Sequence, residues 1–205
     1  MIRKIRRRVK VARYVIYRET LVDVKEHIWT FIGAFTGIGT IGLLQSLVFD
    51  EKDNMLLIGS FGATSVLIYG VVNSPLAQPR NLIGGHILSA LVGVSVQKVC
   101  PDISWLAASL AVAISIVVMQ VTKTLHPPGG ATALIAVIGS EKIKSMGYWF
   151  VLCPVTCGVL LLFSVAVIVN NLSATREYPA DKRWYRVRKL PLFGRMQHIG
   201  DSRRS

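Results

Sequence analysis

The chain has 205 residues, 52% of them hydrophobic and 17% charged, with a mean hydropathy of +0.48, too apolar a balance for a soluble domain of this size. Its formal charge of +13 does not indicate nucleic acid, because the basic residues flank apolar runs instead of forming a folded patch with exposed aromatics. Residues 1–27 and 172–205 each hold nine Lys/Arg and three Asp/Glu, a net of +6, while the 144 residues between them net +1.

In chain order, the basic opening over residues 1–27 lacks an uninterrupted apolar core and a small-residue cleavage site, so it does not read as a signal peptide. Val11, Val15, Leu21 and Val22, interleaved with Arg13, Arg18 and Lys25, suit either a helix lying along lipid headgroups or a solvated tail. Residues 28–49 form the first apolar run, long enough to span ~30 Å of hydrocarbon, and are closed by Asp50, Glu51, Lys52, Asp53 and Asn54. Runs over 55–72 and 82–99 complete one set of three. Residues 103–121, 127–139 and 148–171 form a second, so that repeat one covers 28–99 and repeat two 103–171 of an all-α membrane domain over 28–171.

The fifth run has 13 residues, or ~20 Å as a helix, and is too short to cross as one regular helix. It predicts a half-helix with an extended lead-in, or a re-entrant loop. Lys/Arg concentrate in cytoplasmic segments, which places both +6 tails inside, where they also meet anionic headgroups. Six crossings satisfy this, and so do four crossings with two re-entrant motif segments.

The two sets share a motif. Gly62, Ala63 and Thr64 recur as Gly130, Ala131 and Thr132, each followed by an apolar helix, at an offset of 68 residues in the middle of each set. With three crossings per set the second copy is inverted, an arrangement in which broken helices meet near the midplane. Pro127 and Pro128 cannot continue a helix from upstream but suit its first turn. Gly129 and Gly130 allow close backbone approach. The amides of Gly130, Ala131 and Thr132, with the hydroxyl of Thr132 or Thr124, are expected to present a positive helix end to a small anion. Ser60, Gly62, Ala63 and Thr64 offer the same at the first copy, where the alternative is small residues serving close helix packing.

Four ionisable residues lie near membrane depth: Arg80, His86, Lys123 and His126. Arg80 and Lys123 adjoin segment ends and read equally as topology signals or as anion attraction. His86 can bond across to another helix. His126, ahead of the double proline, can bind an anion when protonated or gate by titrating. No Asp or Glu falls within a span, no Ser/His/acid set is present, and two histidines are too few for a metal site. Catalysis, a metal and a cofactor are therefore not expected. Cys100, Cys153 and Cys157 read as small packing residues.

The stretches Phe61–Gly70, Ser74–Gly93 and His126–Gly139 together resemble the HPP family of integral membrane proteins, named for a His-Pro-Pro motif, and the resemblance covers roughly residues 28–170. It implies a membrane protein of bacteria or plant plastids, hence a bacterial inner membrane or a plastid envelope. Members of the cyanobacterial and chloroplast lineage are regarded as nitrite transporters. The family is usually described with four transmembrane helices, and the regulatory CBS-type domain of some relatives is not in this chain. The resemblance extends interest to Gln78, Pro79, Arg80, Asn81, Gly85, His86, His126, Pro127 and Pro128 without assigning roles. Two further classes stand beside a small-anion transporter or channel for nitrite, nitrate or chloride: a membrane scaffold whose basic tails bind lipid or a partner, and a membrane enzyme with a His-bound metal. The glycine-rich helices also suit packing between two copies in a homodimer.

Overall fold

A computed structural model describes residues 24–48, 58–100 and 104–180. Most of the basic opening segment, the charged stretch 50–54 and the tail beyond 180 lie outside the described residues, so the expectation of an interfacial helix and the acidic loop fall there.

All regular elements among the described residues are helical. Four helices are long and apolar enough to cross a membrane: α1 (Val24–Val48), α3 (Pro79–Val99), α4 (Ser104–Thr122) and α7 (Val151–Leu172). Between them lie two short motif helices. The first, α2 (Gly59–Ser65), continues as a wider π-helical stretch, Val66–Gly70. The second, α5 (Pro127–Ile138), has 12 residues, ~18 Å of helix. A single 3-10 turn, Pro75–Ala77, precedes α3, and the short α6 (Glu141–Met146) precedes α7.

Proline sets three of these boundaries. Pro79 occupies the first turn of α3 and Pro127 and Pro128 that of α5, where the missing N–H costs nothing. Pro154 has the opposite effect inside α7: Cys153 leaves helical geometry (φ −141°, ψ 122°), so the regular helix restarts at Cys157 and runs to Leu172.

Contacts between helix ends fix the direction of each element. Glu26, in the first turn of α1, is ion-paired to Arg176, just past α7, at 2.7 Å. Arg176 also bonds the Tyr69 carbonyl near the end of α2, and Arg80 at the start of α3 bonds the Thr122 carbonyl at the end of α4. All five ends share one face, the tail face. At the opposite face, Lys98 near the end of α3 lies over the Tyr148 ring ahead of α7, 5.7 Å from its centroid. The chain therefore traverses the bundle in alternating directions, α1, α3, α5 away from the tail face and α2, α4, α7 towards it. The short α5 follows a non-helical lead-in over residues 123–126, and the short α2 runs towards the tail face from Gly59.

Packing is close where glycine permits it. The Tyr69 ring lies against Gly33 and Gly37 of α1, with no room for a Cβ at either position, and its hydroxyl donates to the Leu162 carbonyl of α7. A Cβ on Gly93 of α3 would stand 2.6 Å from the Ala133 carbonyl of α5. The main apolar core joins α1, α2, α3 and α7 around Ile41, Phe61, Ile68, Tyr69, Val155 and Leu162. A smaller one lies among α3, α4 and α5 at Val96, Ala107, Ala111, Ala133 and Val137. Apolar side chains such as Phe31, Phe35, Leu43, Leu47, Val117 and Ile168 stay exposed, as expected of faces solvated by lipid.

Candidate functional site

Where α2 and α5 pass each other, four polar side chains are fully buried: Thr64, His86, His126 and Thr132. Helical spacing brings them together. Thr64 lies a turn and a half into α2, Thr132 the same distance into α5, and His86 two turns into α3, which packs against α5 and meets α2 through the His86 ring. His126 caps α5 with extended backbone (φ −139°, ψ 104°). Its Cβ lies over Gly85, where another side chain would come within 2.9 Å of the Thr124 carbonyl. The two imidazoles are 4.9 Å apart between ring centroids, and the Phe61 ring stands edge-on to His86 at 5.7 Å.

The four groups form one hydrogen-bonded chain. Thr132 Oγ1 is 2.7 Å from His86 Nδ1, His86 Nε2 is 2.7 Å from Thr64 Oγ1, and Thr64 Oγ1 is 3.2 Å from His126 Nε2. His126 Nδ1 is 2.8 Å from the Leu76 carbonyl oxygen. A carbonyl only accepts, so His126 Nδ1 carries a proton, and in the neutral ring Nε2 is an acceptor. Thr64 then donates to His126, His86 Nε2–H donates to Thr64, and Thr132 donates to His86 Nδ1. One proton order satisfies every partner. Each threonine also has a second acceptor, the Ser60 carbonyl at 2.9 Å from Thr64 and the Pro128 carbonyl at 3.3 Å from Thr132. Charged side chains of the four long helices and α5 stay at helix ends, at Lys25, Glu26, Arg80 and Lys98. The cluster is polar and uncharged in its neutral form.

Other residues singled out from the sequence lie elsewhere. Gly62 and Ala63 are exposed on the outer side of α2. Gly130 and Ala131 border an apolar groove of about 530 Å³ between α4 and α5 that Val112, Ile116 and Leu134 also line. The amides expected to receive an anion are committed: Pro127 and Pro128 have none, the Gly129 N–H donates to the His126 carbonyl at 2.8 Å, and the next amides fall within the helix. The donors here are side chains. Thr124 is buried but pairs with Thr122 at 2.7 Å. Arg80 caps α4 at Thr122 O, Asn81 Nδ2 donates to Leu125 O at 2.7 Å, and Lys123 is exposed in the turn with φ 57°. These residues shape the lead-in to α5 and do not enter the cluster. The hydroxyls of Ser60, Ser65 and Ser89 are buried without a partner.

Three contributions have no signature in the sequence. The Leu76 carbonyl orients His126 and belongs to an unremarkable turn. Ser89 lies one turn beyond His86, 2.8 Å from where a Cβ on Gly129 would stand. Residues 172–180, read from the sequence as the start of a basic tail, pack against the tail face. Arg176 uses its guanidinium on Glu26, Thr30, Tyr69 O and Asn170, Tyr178 Oη donates to the Ala77 carbonyl at 2.7 Å, and the Ala180 N–H donates to Gln78 Oε1 at 2.9 Å. Burial raises the Tyr178 phenol above its ordinary range, so it stays a donor at any working pH. This strap holds the turn whose Leu76 carbonyl receives His126. Among the described residues no group of three or more His, Cys, Asp or Glu is placed to hold a metal ion.

The family model of the HPP transmembrane region matches residues 19–179. The chain belongs to the HPP transmembrane family. Two curated relatives of this HPP protein are Transmembrane protein DDB_G0269096 of Dictyostelium discoideum, 45% identical over 165 residues, and Transmembrane protein DDB_G0273707/DDB_G0273361 of the same organism, 45% identical over 160. The matches cover 79% and 77% of this chain, and 58% and 51% of those proteins, so the HPP chain spans little more than half of their length. Both are named only as transmembrane proteins, which adds nothing towards nitrite, anion selectivity or a cyanobacterial or plastid setting. No solved structure matches the chain.

Proposed function

We propose that this HPP protein carries a small monovalent anion, nitrite first, across its membrane along a path between α2 and α5, with both basic tails on the cytoplasmic side. One observation carries the reading: a fully buried, uncharged His/Thr network lies where two short, oppositely directed helices pass each other. Polar groups at membrane depth are costly and concentrate on substrate pathways. Imidazole and hydroxyl groups supply the few donors that a small anion needs. Part of the helix pairing fits two inverted sets of three, although the α3–α5 packing is far more extensive than its counterpart between α7 and α2. Helix α1 packs on α7 as α4 packs on α3, and each short helix lies against the first helix of its own set. Nitrite, rather than nitrate or chloride, rests on the family resemblance alone.

The test is uptake of labelled nitrite into proteoliposomes of folded protein. Entry faster than into empty vesicles is the expected result, and equal entry sinks the proposal. Thr132→Val removes the donor to His86 Nδ1 and should slow uptake while leaving the fold intact. Unchanged kinetics would remove that hydroxyl from the path. Loss of function on deleting the basic tails, with Thr132→Val tolerated, would favour the scaffold reading instead.

A further inference from the structure

We propose, building on the anion-transport reading, that this protein moves a proton with each anion and that His126 Nε2 is the atom that carries it. The argument starts from charge. An anion passing the His/Thr cluster between α2 and α5 meets no cationic side chain of the described spans. Arg80 and Lys123 lie at the tail-face rim, the first directed at Thr122 O and the second exposed. From α2 the cluster is faced by Thr64 and Phe61, from α5 by Thr132, from α3 by His86, from the lead-in by His126, and from α4 by Met119, close to Gly85 and Gly129. None is permanently charged. The two imidazoles are the only groups in that set able to carry a positive charge, and an unpaired anion at this depth is strongly disfavoured.

The hydrogen-bond chain indicates which nitrogen receives the proton and how the neighbours accommodate it. In the neutral cluster both nitrogens of His86 are engaged, and His126 Nδ1–H is held by Leu76 O. Two basic lone pairs remain, His86 Nδ1, which accepts from Thr132, and His126 Nε2, which accepts from Thr64; the other acceptor open to Thr132, the Pro128 carbonyl, is 3.3 Å away, and the one open to Thr64 is closer. Thr64 has an alternative: its hydroxyl can rotate to donate to the Ser60 carbonyl at 2.9 Å. Thr64 Oγ1 then accepts from both imidazoles, His86 at 2.7 Å and His126 at 3.2 Å. One proton passes from water to His126 Nε2, no heavy atom of the cluster has to move, and the imidazolium is the counter-charge for the anion. On release, the same proton leaves Nε2 for water with the departing anion, and Thr64 turns back. The net movement is one anion and one proton in the same direction, with no net charge.

The experiment uses the full chain in proteoliposomes containing a trapped pH dye, with an inward nitrite gradient and empty vesicles as the baseline for passive nitrous acid entry. Internal acidification above that baseline, in step with labelled nitrite uptake and unaffected by a potassium–valinomycin clamp, is the expected result. Thr64→Ser, which keeps the hydroxyl, should retain proton movement in step with its nitrite uptake, Thr64→Val should lose the proton signal, and His126→Gln should reduce it to the empty-vesicle level, each variant being checked as folded by its elution profile and melt. Nitrite uptake that acidifies nothing and follows the imposed potential overturns proton coupling while leaving transport standing. Uptake with coupling retained in His126→Gln overturns the assignment to that atom. Absence of any nitrite flux in the wild-type protein overturns the transport reading and this proposal with it.

Discussion

At the scale of single residues, two kinds of side chain matter most, and they differ in legibility. His86, His126, Thr64 and Thr132 were all candidates from the sequence, because polar groups in apolar runs stand out. Their partnership was not visible, since Thr64 and His126 are 62 positions apart. Glycines show the opposite pattern: the sequence does not show which of them a neighbouring helix packs against, and only tertiary contacts distinguish them. Gly93 lies against the α5 backbone, whereas Gly42 has nothing within 4 Å of where its Cβ would stand. Gly93→Ala should therefore cost about 1–3 kcal/mol through overpacking, read as a lower melting temperature in detergent. Gly42→Ala should be neutral or gain up to about 1 kcal/mol from helix propensity. Equal effects at the two positions would mean that α3 and α5 are not in backbone contact.

At the scale of elements, the short helices depend on what holds their ends. Helix α2 ends in a π-helical stretch whose Ile68 and Tyr69 carbonyls are taken by Asn170 and Arg176. The turn after it is held by Tyr178. The C-terminal strap thus supports the loop that orients His126. Tyr178→Phe removes one buried donor and should lower stability by about 1 kcal/mol. Arg176→Ala removes the partner of Glu26 and four further acceptors. Breaking a buried pair costs about 3–5 kcal/mol, reduced here to roughly 2–3 because Glu26 is 27% exposed. Calorimetry or a thermal melt of purified variants checks the order; Tyr178→Phe proving the more damaging would overturn this account of the strap.

At the scale of the whole molecule, the question left open by charge was six crossings or four with two re-entrant segments. Helix length alone recovers four candidate spans. End-to-end contacts add that six successive elements run in alternating directions, the short α2 and α5 among them, while residues 49–57 ahead of α2 lie outside the described residues. A sidedness experiment follows: in a background without the native cysteines, Asn73→Cys in the loop after α2 and Glu141→Cys in α6 should be labelled by an impermeant maleimide from opposite sides of the membrane. Labelling from the same side would return the structure to re-entrant loops.

The sequence by itself determined the solvent, the apolar segments, the helix start at Pro127, and the polar residues worth following. These depend on composition, periodicity and the fixed geometry of proline, all of which are local properties. Only the tertiary structure decided that the amides after the double proline are engaged within α5, that the available donors are imidazoles and hydroxyls, that Gly130 and Ala131 face an apolar groove, and that residues 172–180 fold back onto the bundle. Each of those outcomes depends on which atom a group meets across the bundle, and such partners are set by the packing of segments far apart in the chain.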